Sequence, residues 1–425
     1  MPRPGGHRGG AAGLFLGLIA SISSGQAQAF SGRIVDAASG RPLAGALIVS
    51  NSASARSADD GRFEIAADGS LRVRALGYCR RQVEVGPSDP PTDIRLGAVT
   101  PKAVFLSMAA IDRPALQTAI WSLHDRTSIN ALAIDVKNTD GETSVAGSLR
   151  DDLQDPARLS ARSTAVAALL ERMHASGLYA IARIALFEDD RLARADRADA
   201  LIRRDGRLVE DTDGRAWADA RNEAVRAYDI SVAVAAARAG FDEIQFDYIR
   251  FPTVRGAPSF AMTSDQRRAV IRGFLHDASA ALAPYDVFVS ADLFGYTSWD
   301  PSDLKIGQTL GDAAGEVDYI SLMLYPSAFK DGIPGVRSAL DQPGAIVGQS
   351  LARAAQGAHL DALRFRPWLQ AFGDDRSLLP KSKITAQIDS ADAFGSDGWM
   401  LWHPLSHYAA EDIPGPPGTP GCATQ

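Results

Sequence analysis

The stretch Gly240-Phe241-Asp242-Glu243-Ile244-Gln245-Phe246-Asp247-Tyr248-Ile249-Arg250-Phe251-Pro252 decides the fold. Apolar and polar residues largely alternate from Phe241 to Phe251, the period of a strand, and Pro252 stops the pattern from continuing inside a sheet. The polar positions are unusual. A purely structural strand would place Val or Leu at Gln245, Asp247 and Arg250, because burying an unpaired charge is costly. Such a strand commonly ends in a site; the competing reading is an internal Asp247–Arg250 ion pair that only fixes the strand end.

Strands and helices alternate on both sides of this stretch. Apolar patterning predicts strands at 103–109, 131–137, 178–187, 241–251, 286–294, 317–325, 365–372 and 398–403. Helices are predicted near 114–127, 161–176, 221–239, 267–283, 336–355 and 381–395, on stripes such as Ala165-Val166-Ala168-Leu169-Leu170-Met173 closed by Gly177. Eight strands over 102–412 suit an α/β fold of the (β/α)8 TIM-barrel type. A doubly wound open sheet would carry a glycine-rich turn after its first strand, and Met108-Ala109-Ala110-Ile111-Asp112 is not one.

Upstream, residues 30–97 have a different texture. Short alternating segments at 32–35, 46–49, 62–65, 71–75 and 82–85 are separated by turn signals at Ser39-Gly40, Asp60-Gly61 and Asp68-Gly69, which predicts a small antiparallel all-β sandwich. A proline-rich joint at Gly86-Pro87-Ser88-Asp89-Pro90-Pro91 sets the domain boundary between about 86 and 102. Residues 1–29 have the layout of a signal peptide: Arg3, His7 and Arg8, an apolar run from Ala11 to Ile22, and Ala27-Gln28-Ala29. The expectation is an exported protein, periplasmic or extracellular, with an uncleaved anchor as the alternative. No later segment approaches the roughly 20 apolar residues of a membrane span.

Losing the leader's two arginines takes the net charge from −7 to −9, which argues against nucleic acid as a partner. The two cysteines, Cys79 and Cys422, have no metal-binding or redox spacing; one disulfide and two unrelated thiols are both open. Residues 413–425, rich in proline and glycine, are expected to form a disordered tail. The sequence leaves the oligomeric state open.

In a TIM barrel, function sits at the carboxyl ends of the strands. Those ends supply Asp135 and Lys137, Arg183, Gln245, Asp247 and Arg250, Asp292, Tyr325, Gln370, and Trp402 with His403. Carboxylates with aromatics and few histidines point to glycoside hydrolysis, which needs one carboxyl to protonate the leaving oxygen and another to attack or stabilise the oxocarbenium-like centre. Trp299, Trp368, Trp399 and Trp402 offer flat faces for sugars, although core packing is the simpler role for any one of them. We expect Asp247 and Asp292 to be the catalytic pair, Asp247 kept ionised by Arg250 and Asp292 protonated beside Leu293 and Phe294, with Asp135 in reserve. Lys137, Arg183, Gln245, Arg250, Tyr325, Trp368, Gln370 and Trp402, with Asp135, are assigned to substrate binding. Glu188, in Phe187-Glu188-Asp189-Asp190, reads as a solvated loop charge. No metal or cofactor is expected.

Two resemblances follow from these residues. Gly32-Arg33-Ile34-Val35-Asp36, Gly40-Arg41-Pro42-Leu43-Ala44-Gly45-Ala46, Asp59-Asp60-Gly61-Arg62-Phe63 and Leu76-Gly77-Tyr78 resemble the carboxypeptidase-regulatory-like β-sandwich, which implies an accessory module without catalytic residues. Asp135-Val136-Lys137, Ile181-Ala182-Arg183-Ile184, the 241–252 stretch, Ser290-Ala291-Asp292-Leu293-Phe294-Gly295, Ile306-Gly307-Gln308, Val317-Asp318-Tyr319-Ile320-Ser321 through Tyr325-Pro326-Ser327, Arg366-Pro367-Trp368-Leu369-Gln370 and Gly398-Trp399-Met400-Leu401-Trp402 together resemble the "putative glycoside hydrolase" domain of secreted bacterial TIM-barrel proteins. That resemblance spans 102–408 and implies a carbohydrate substrate. Ala328-Phe329 stands where the family pattern suggests His-Tyr, and His403-Pro404 where it suggests a small polar residue. A barrel that binds glycan without cleaving it, and a metal-dependent carbohydrate deacetylase using His403 and His407, are the alternatives.

Overall fold

A computed structural model describes residues 28–67, 69–86, 89–203, 205–253, 262–373, 376–415 and 422. Most of residues 1–29 and 413–425, on which the expected signal peptide and tail fall, lie outside these. The first seven strands form two small sheets. One has the order β4 (Arg62–Ala67), β1 (Gln28–Asp36), β7 (Thr92–Leu96); the other has β3 (Ser54–Arg56), β2 (Leu47–Val49), β5 (Ser70–Arg74), β6 (Arg81–Glu84). Phe30, Ile34, Ile48, Phe63, Leu71, Val73, Ile94 and Leu96 fill the space between them. The sandwich is not wholly antiparallel as expected, since β7 crosses back from the second sheet and pairs parallel with β1. Residues 54–56 and 92–96 were too short or too polar to register as strands in the sequence.

The next eight strands close a parallel barrel: β8 (Lys102–Leu106), β9 (Ala131–Lys137), β10 (Tyr179–Ala185), β11 (Glu243–Asp247), β12 (Phe288–Phe294), β13 (Tyr319–Met323), β14 (Trp368–Gln370) and β15 (Trp399–Trp402), with β15 pairing to β8. Strand alternation sends every second residue into the barrel. Ala103, Phe105, Ala131, Ala133, Tyr179, Ile181, Phe288, Tyr319, Trp368 and Met400 form that interior. Their neighbours face a helical layer, whose main members are Pro114–Arg126, Pro156–Ala175, Glu223–Ala239, Ser264–Leu282, Pro343–Ala358 and Lys381–Phe394.

Two departures from expectation bear on the site. Helix 336–355 begins instead at Pro343, the residue type favoured at a first helical position. Strand 241–251 ends at Asp247, because Tyr248 has φ +53°, a left-handed conformation that takes the chain out of the sheet.

The sandwich sits on the amino-terminal end of the barrel. Arg74 pairs with Asp318 at 2.9 Å and Asp286 at 3.7 Å, Arg80 pairs with Asp242 at 2.6 Å, and the Gly77 N–H donates to the Tyr319 hydroxyl at 3.2 Å. Asp242 and Asp318 immediately precede barrel strands and Asp286 stands two residues before one, so the opposite end is free for a site. A Cys79–Cys422 disulfide ties the chain's last segment to the sandwich. The expected free tail is therefore corrected: Cys422 is anchored, and Ile413 is buried against the barrel core. Composition alone could not reveal this, since one covalent bond offsets the entropy that proline and glycine leave in the segment.

Candidate active site

Inward alternation converges the polar residues at the carboxyl end. On β9, β10 and β11 the inward positions nearest that end are Asp135, Arg183 and Asp247, and the three side chains are joined. Arg183 Nη1 donates to Asp135 Oδ1 at 2.7 Å, while Nε and Nη2 donate to Asp247 Oδ2 at 3.0 and 2.7 Å. All three are nearly buried, so one guanidinium compensates two carboxylates where water cannot. The Tyr248 N–H, turned back by its positive φ, donates to Asp247 Oδ1 at 2.7 Å and fixes the carboxylate from the other side. A left-handed tyrosine costs on the order of 1–3 kcal/mol, a strain concentrated where orientation matters.

Asp292 lies on the adjacent strand at the same level, because Phe246 pairs with Ala291 and the next residues are Asp247 and Asp292. It is 1% exposed, and neither carboxyl oxygen has a hydrogen-bond partner in normal geometry; the Trp368 indole comes near without closing a bond. Burial, then the Asp247 charge, push its pKa well above the usual carboxylate range, outweighing Arg183. Burial likewise lifts Asp135 to about 6 against the pull of Arg183.

Above these groups opens a cavity of about 430 Å³, within the roughly 300–1,000 Å³ of small-molecule sites. Arg183, Asp247, Arg250, Tyr325 and Trp402 line it, joined by Tyr248, Phe294, Tyr296 and Phe329. Phe329 belongs to the Ala328-Phe329 departure, and its ring rests against Gly295, where a Cβ would come within 2.5 Å of it. Two further cavities, about 470 Å³ beside Trp299 and Arg353 and about 710 Å³ on the sandwich, contain no strand-end carboxylate.

The remaining expected site residues lie beneath or outside this cavity. Gln245 is fully buried one layer down, its amide directed to Ser321 Oγ at 3.2 Å. Trp368 is buried in the barrel, edge-on to Trp402. Gln370 accepts from the Ser327 N–H at 2.9 Å and donates to the Phe372 carbonyl at 2.7 Å, holding two loops together. Lys137 leaves the barrel altogether. The register with β10 skips Val136, so Lys137 pairs with outward-facing Ile184 and its Nζ meets Asp189 and Asp229, each at 2.8 Å. Of the four tryptophans considered for stacking, Trp402 alone borders this cavity.

Two expectations about charge change. The cation on Asp247 is Arg183 rather than Arg250, whose guanidinium lies 4.7 Å from the Trp217 ring centre, 5.3 Å from Tyr248 and 4.9 Å from Phe294. Glu188 is not solvated: it is 4% exposed, because residues 196–222 fold back and pair Trp217 with it. Gln308, quoted in the sequence within Ile306-Gly307-Gln308 but given no role, accepts from the Phe294 N–H and donates to the Ile249 and Asp292 carbonyls, tying the segment after β11 to β12. At the barrel's other end, buried Arg366 pairs with Glu243 and Asp397, and the Tyr179 hydroxyl donates to Glu243, closing the floor. His403, one of the suggested metal ligands, has both ring nitrogens engaged, Nε2 with the Arg376 carbonyl and Nδ1 with the Leu405 and His407 N–H groups.

A closed parallel barrel with its carboxylate–arginine cluster and aromatic cavity at the carboxyl end defines a TIM-barrel protein. The chain belongs to the family described as "Putative glycosyl hydrolase domain", which matches residues 103–408. Among solved structures, the glycoside hydrolase domain of PgaB (BpsB) from Bordetella bronchiseptica is 16% identical with a TM-score of 0.53, over 73% of this chain and 97% of that one. A hypothetical protein from Ruminiclostridium thermocellum is 28% identical with a TM-score of 0.39, over 44% of this chain and 96% of that one. A chitinase from Chromobacterium violaceum is 14% identical with a TM-score of 0.45, over 73% and 96%. No curated protein matches the chain. Among the described residues no helix is long and apolar enough to cross a membrane.

Proposed function

We propose that this protein is an exported glycosidase that hydrolyses an oligo- or polysaccharide, with Asp247 and Asp292 as its working carboxyl pair. The observation that carries the proposal is the hold on Asp247, whose carboxylate is gripped by Arg183 and the Tyr248 amide at the floor of an aromatic cavity. A fixed, paired carboxylate suits attack on, or stabilisation of, an oxocarbenium-like centre, and the aromatic walls suit the apolar faces of sugar rings. Asp292 keeps its proton beside Asp247, so the two do not repel as a pair of anions would. Arg183, Arg250, Tyr325 and Trp402 position the substrate, with Asp135 holding Arg183 in place. Export is supported by the leader pattern and by the Cys79–Cys422 bond, which an oxidising compartment preserves.

The test is a glycan-release screen of the purified protein on bacterial surface and exported polysaccharides, with Asp247→Asn as the blank. Release by wild type and none by the variant is expected. No release from any substrate, or equal release by both, contradicts the proposal.

A further inference from the structure

The buried arginines of the barrel come with their anions. Arg162, Arg183, Arg267 and Arg366 each hold a carboxylate oxygen at 2.7 or 2.8 Å, as a guanidinium taken out of water requires. Arg250 is buried to a similar degree, its side chain 12% exposed, and has no carboxylate that close. We infer that the missing partner is the substrate: the cavity takes a glycan whose sugar carries an anionic group, a carboxylate or a sulfate ester, and Arg250 binds that group. This rests on the carbohydrate substrate proposed above.

Arg250 follows the left-handed turn at Tyr248, which takes it off the strand and onto the cavity wall. Three aromatic rings, Trp217, Tyr248 and Phe294, surround its guanidinium. Among the described residues its one hydrogen bond runs from Nη1 to the Phe251 carbonyl at 3.3 Å. Nε and Nη2 have no acceptor there, and neither is sealed in the interior, so their N–H groups open on the cavity that Arg250 lines. The nearest carboxyl, Glu188, stands 4.0 Å from Nη2, beyond hydrogen-bond reach. Burial, with Asp211 adding, pushes Glu188 up to about 8 against the pull of Arg250 itself, so it brings little charge at neutral pH.

The charged groups on the wall are Arg183, Asp247 and Arg250. Both oxygens of Asp247 are taken, by Arg183 and by the Tyr248 N–H. One positive charge is left over. Burial lowers the Arg250 pKa further than Tyr248, Glu188 and Asp247 raise it, whereas at Arg183 and Arg366 the carboxylates prevail. A neutral sugar would leave that charge uncompensated. An anionic group on the sugar offsets it with charge-assisted bonds to the open N–H groups. Asp247 and Arg250 line one cavity of about 430 Å³, so the acid belongs to the sugar held at Asp247 or to its neighbour.

The experiment measures, by calorimetry, the affinity of wild type, Arg250→Met and Arg250→Lys for tetrasaccharides of galacturonate and mannuronate, each against its methyl ester, and for sulfated galactotetraose against galactotetraose. Esterification removes the charge and leaves the sugar in place. For wild type we expect at least one charged form to bind about 10-fold or more tighter than its neutral form. In Arg250→Met that preference should vanish while affinity for the neutral form stays within a few-fold, and Arg250→Lys should keep part of it. A preference for a uronate identifies a carboxylate, and one for the sulfated galactan a sulfate ester; either supports the inference. No binding of any charged form, equal affinity for charged and neutral forms in wild type, or a preference that survives in Arg250→Met overturns it, and the wild-type comparison stands even if a variant fails to fold. Release of products is scored on the same oligosaccharides. An acid preference without hydrolysis contradicts the glycosidase reading and leaves Arg250 its anion, whereas hydrolysis of a neutral glycan with no acid preference contradicts the present inference alone.

Discussion

Arg183 places two of its nitrogens, Nε at 3.0 Å and Nη2 at 2.7 Å, on one oxygen of Asp247, and its third contact crosses to Asp135 on the far neighbouring strand. One cation on the middle strand thus spans three strands of the barrel mouth. Removing it leaves two buried carboxylates facing each other without compensation. Arg183→Met should destabilise the protein by about 3–5 kcal/mol, measured by denaturant unfolding. Arg183→Lys keeps the charge but loses the planar fork, and should fall between the two. A loss under about 1 kcal/mol for Arg183→Met would show that the cluster is not held as described.

Lys137 provides the contrast. Its ammonium is fully buried between Asp189 and Asp229 behind the barrel wall. Lys137→Met should cost a similar 3–5 kcal/mol, yet leave KM unchanged for molecules that remain folded. A raised KM at full stability would return Lys137 to the substrate.

The disulfide links residues 343 apart and clamps the sandwich to the tail. Reductant should lower the wild-type Tm, with a loss of about 2–5 kcal/mol, while Cys422→Ser starts lower and ignores reductant. Identical melting with and without reductant would contradict the clamp.

Glu188 makes stability depend on pH. Its folded-state pKa of about 8 lies above the ordinary 4.5, so the folded protein binds the proton more tightly than the unfolded chain between those values. Its contribution is complete below about pH 4.5 and is lost as pH rises through 8. Glu188→Gln should therefore gain stability relative to wild type as pH is raised across that window, read as the difference in Tm. A constant difference would mean that Glu188 titrates normally.

The barrel was legible because eight apolar strands, each with a stop, leave few alternatives, and because alternation about Asp247 and Asp292 carries directly into the direction their side chains face. What the sequence hid is non-local or depends on a single residue. Lys137 keeps the parity of Asp135 in the sequence and loses it to one skipped partner, Val136. Arg250 is nearer to Asp247 along the chain than Arg183, but Tyr248 turns the chain between them, whereas Arg183 sits on the paired strand. Glu188 looks exposed among its acidic neighbours until a segment some thirty residues on folds across it. No local pattern encodes the Cys79–Cys422 pairing or the Arg366–Glu243 floor.

The central claim is that Asp247 performs chemistry on a sugar. Its most direct test is kcat/KM of Asp247→Asn against wild type, on the glycan that wild type releases, with Tm measured on the same samples. Asparagine has one oxygen where Asp247 uses Oδ2 for Arg183 and Oδ1 for the Tyr248 N–H, so one of the two contacts is lost and Tm should fall modestly while the fold persists. The account predicts a fall in kcat/KM by orders of magnitude at a temperature well below the Tm of both proteins. Hydrolysis by Asp247→Asn at the wild-type rate would contradict it.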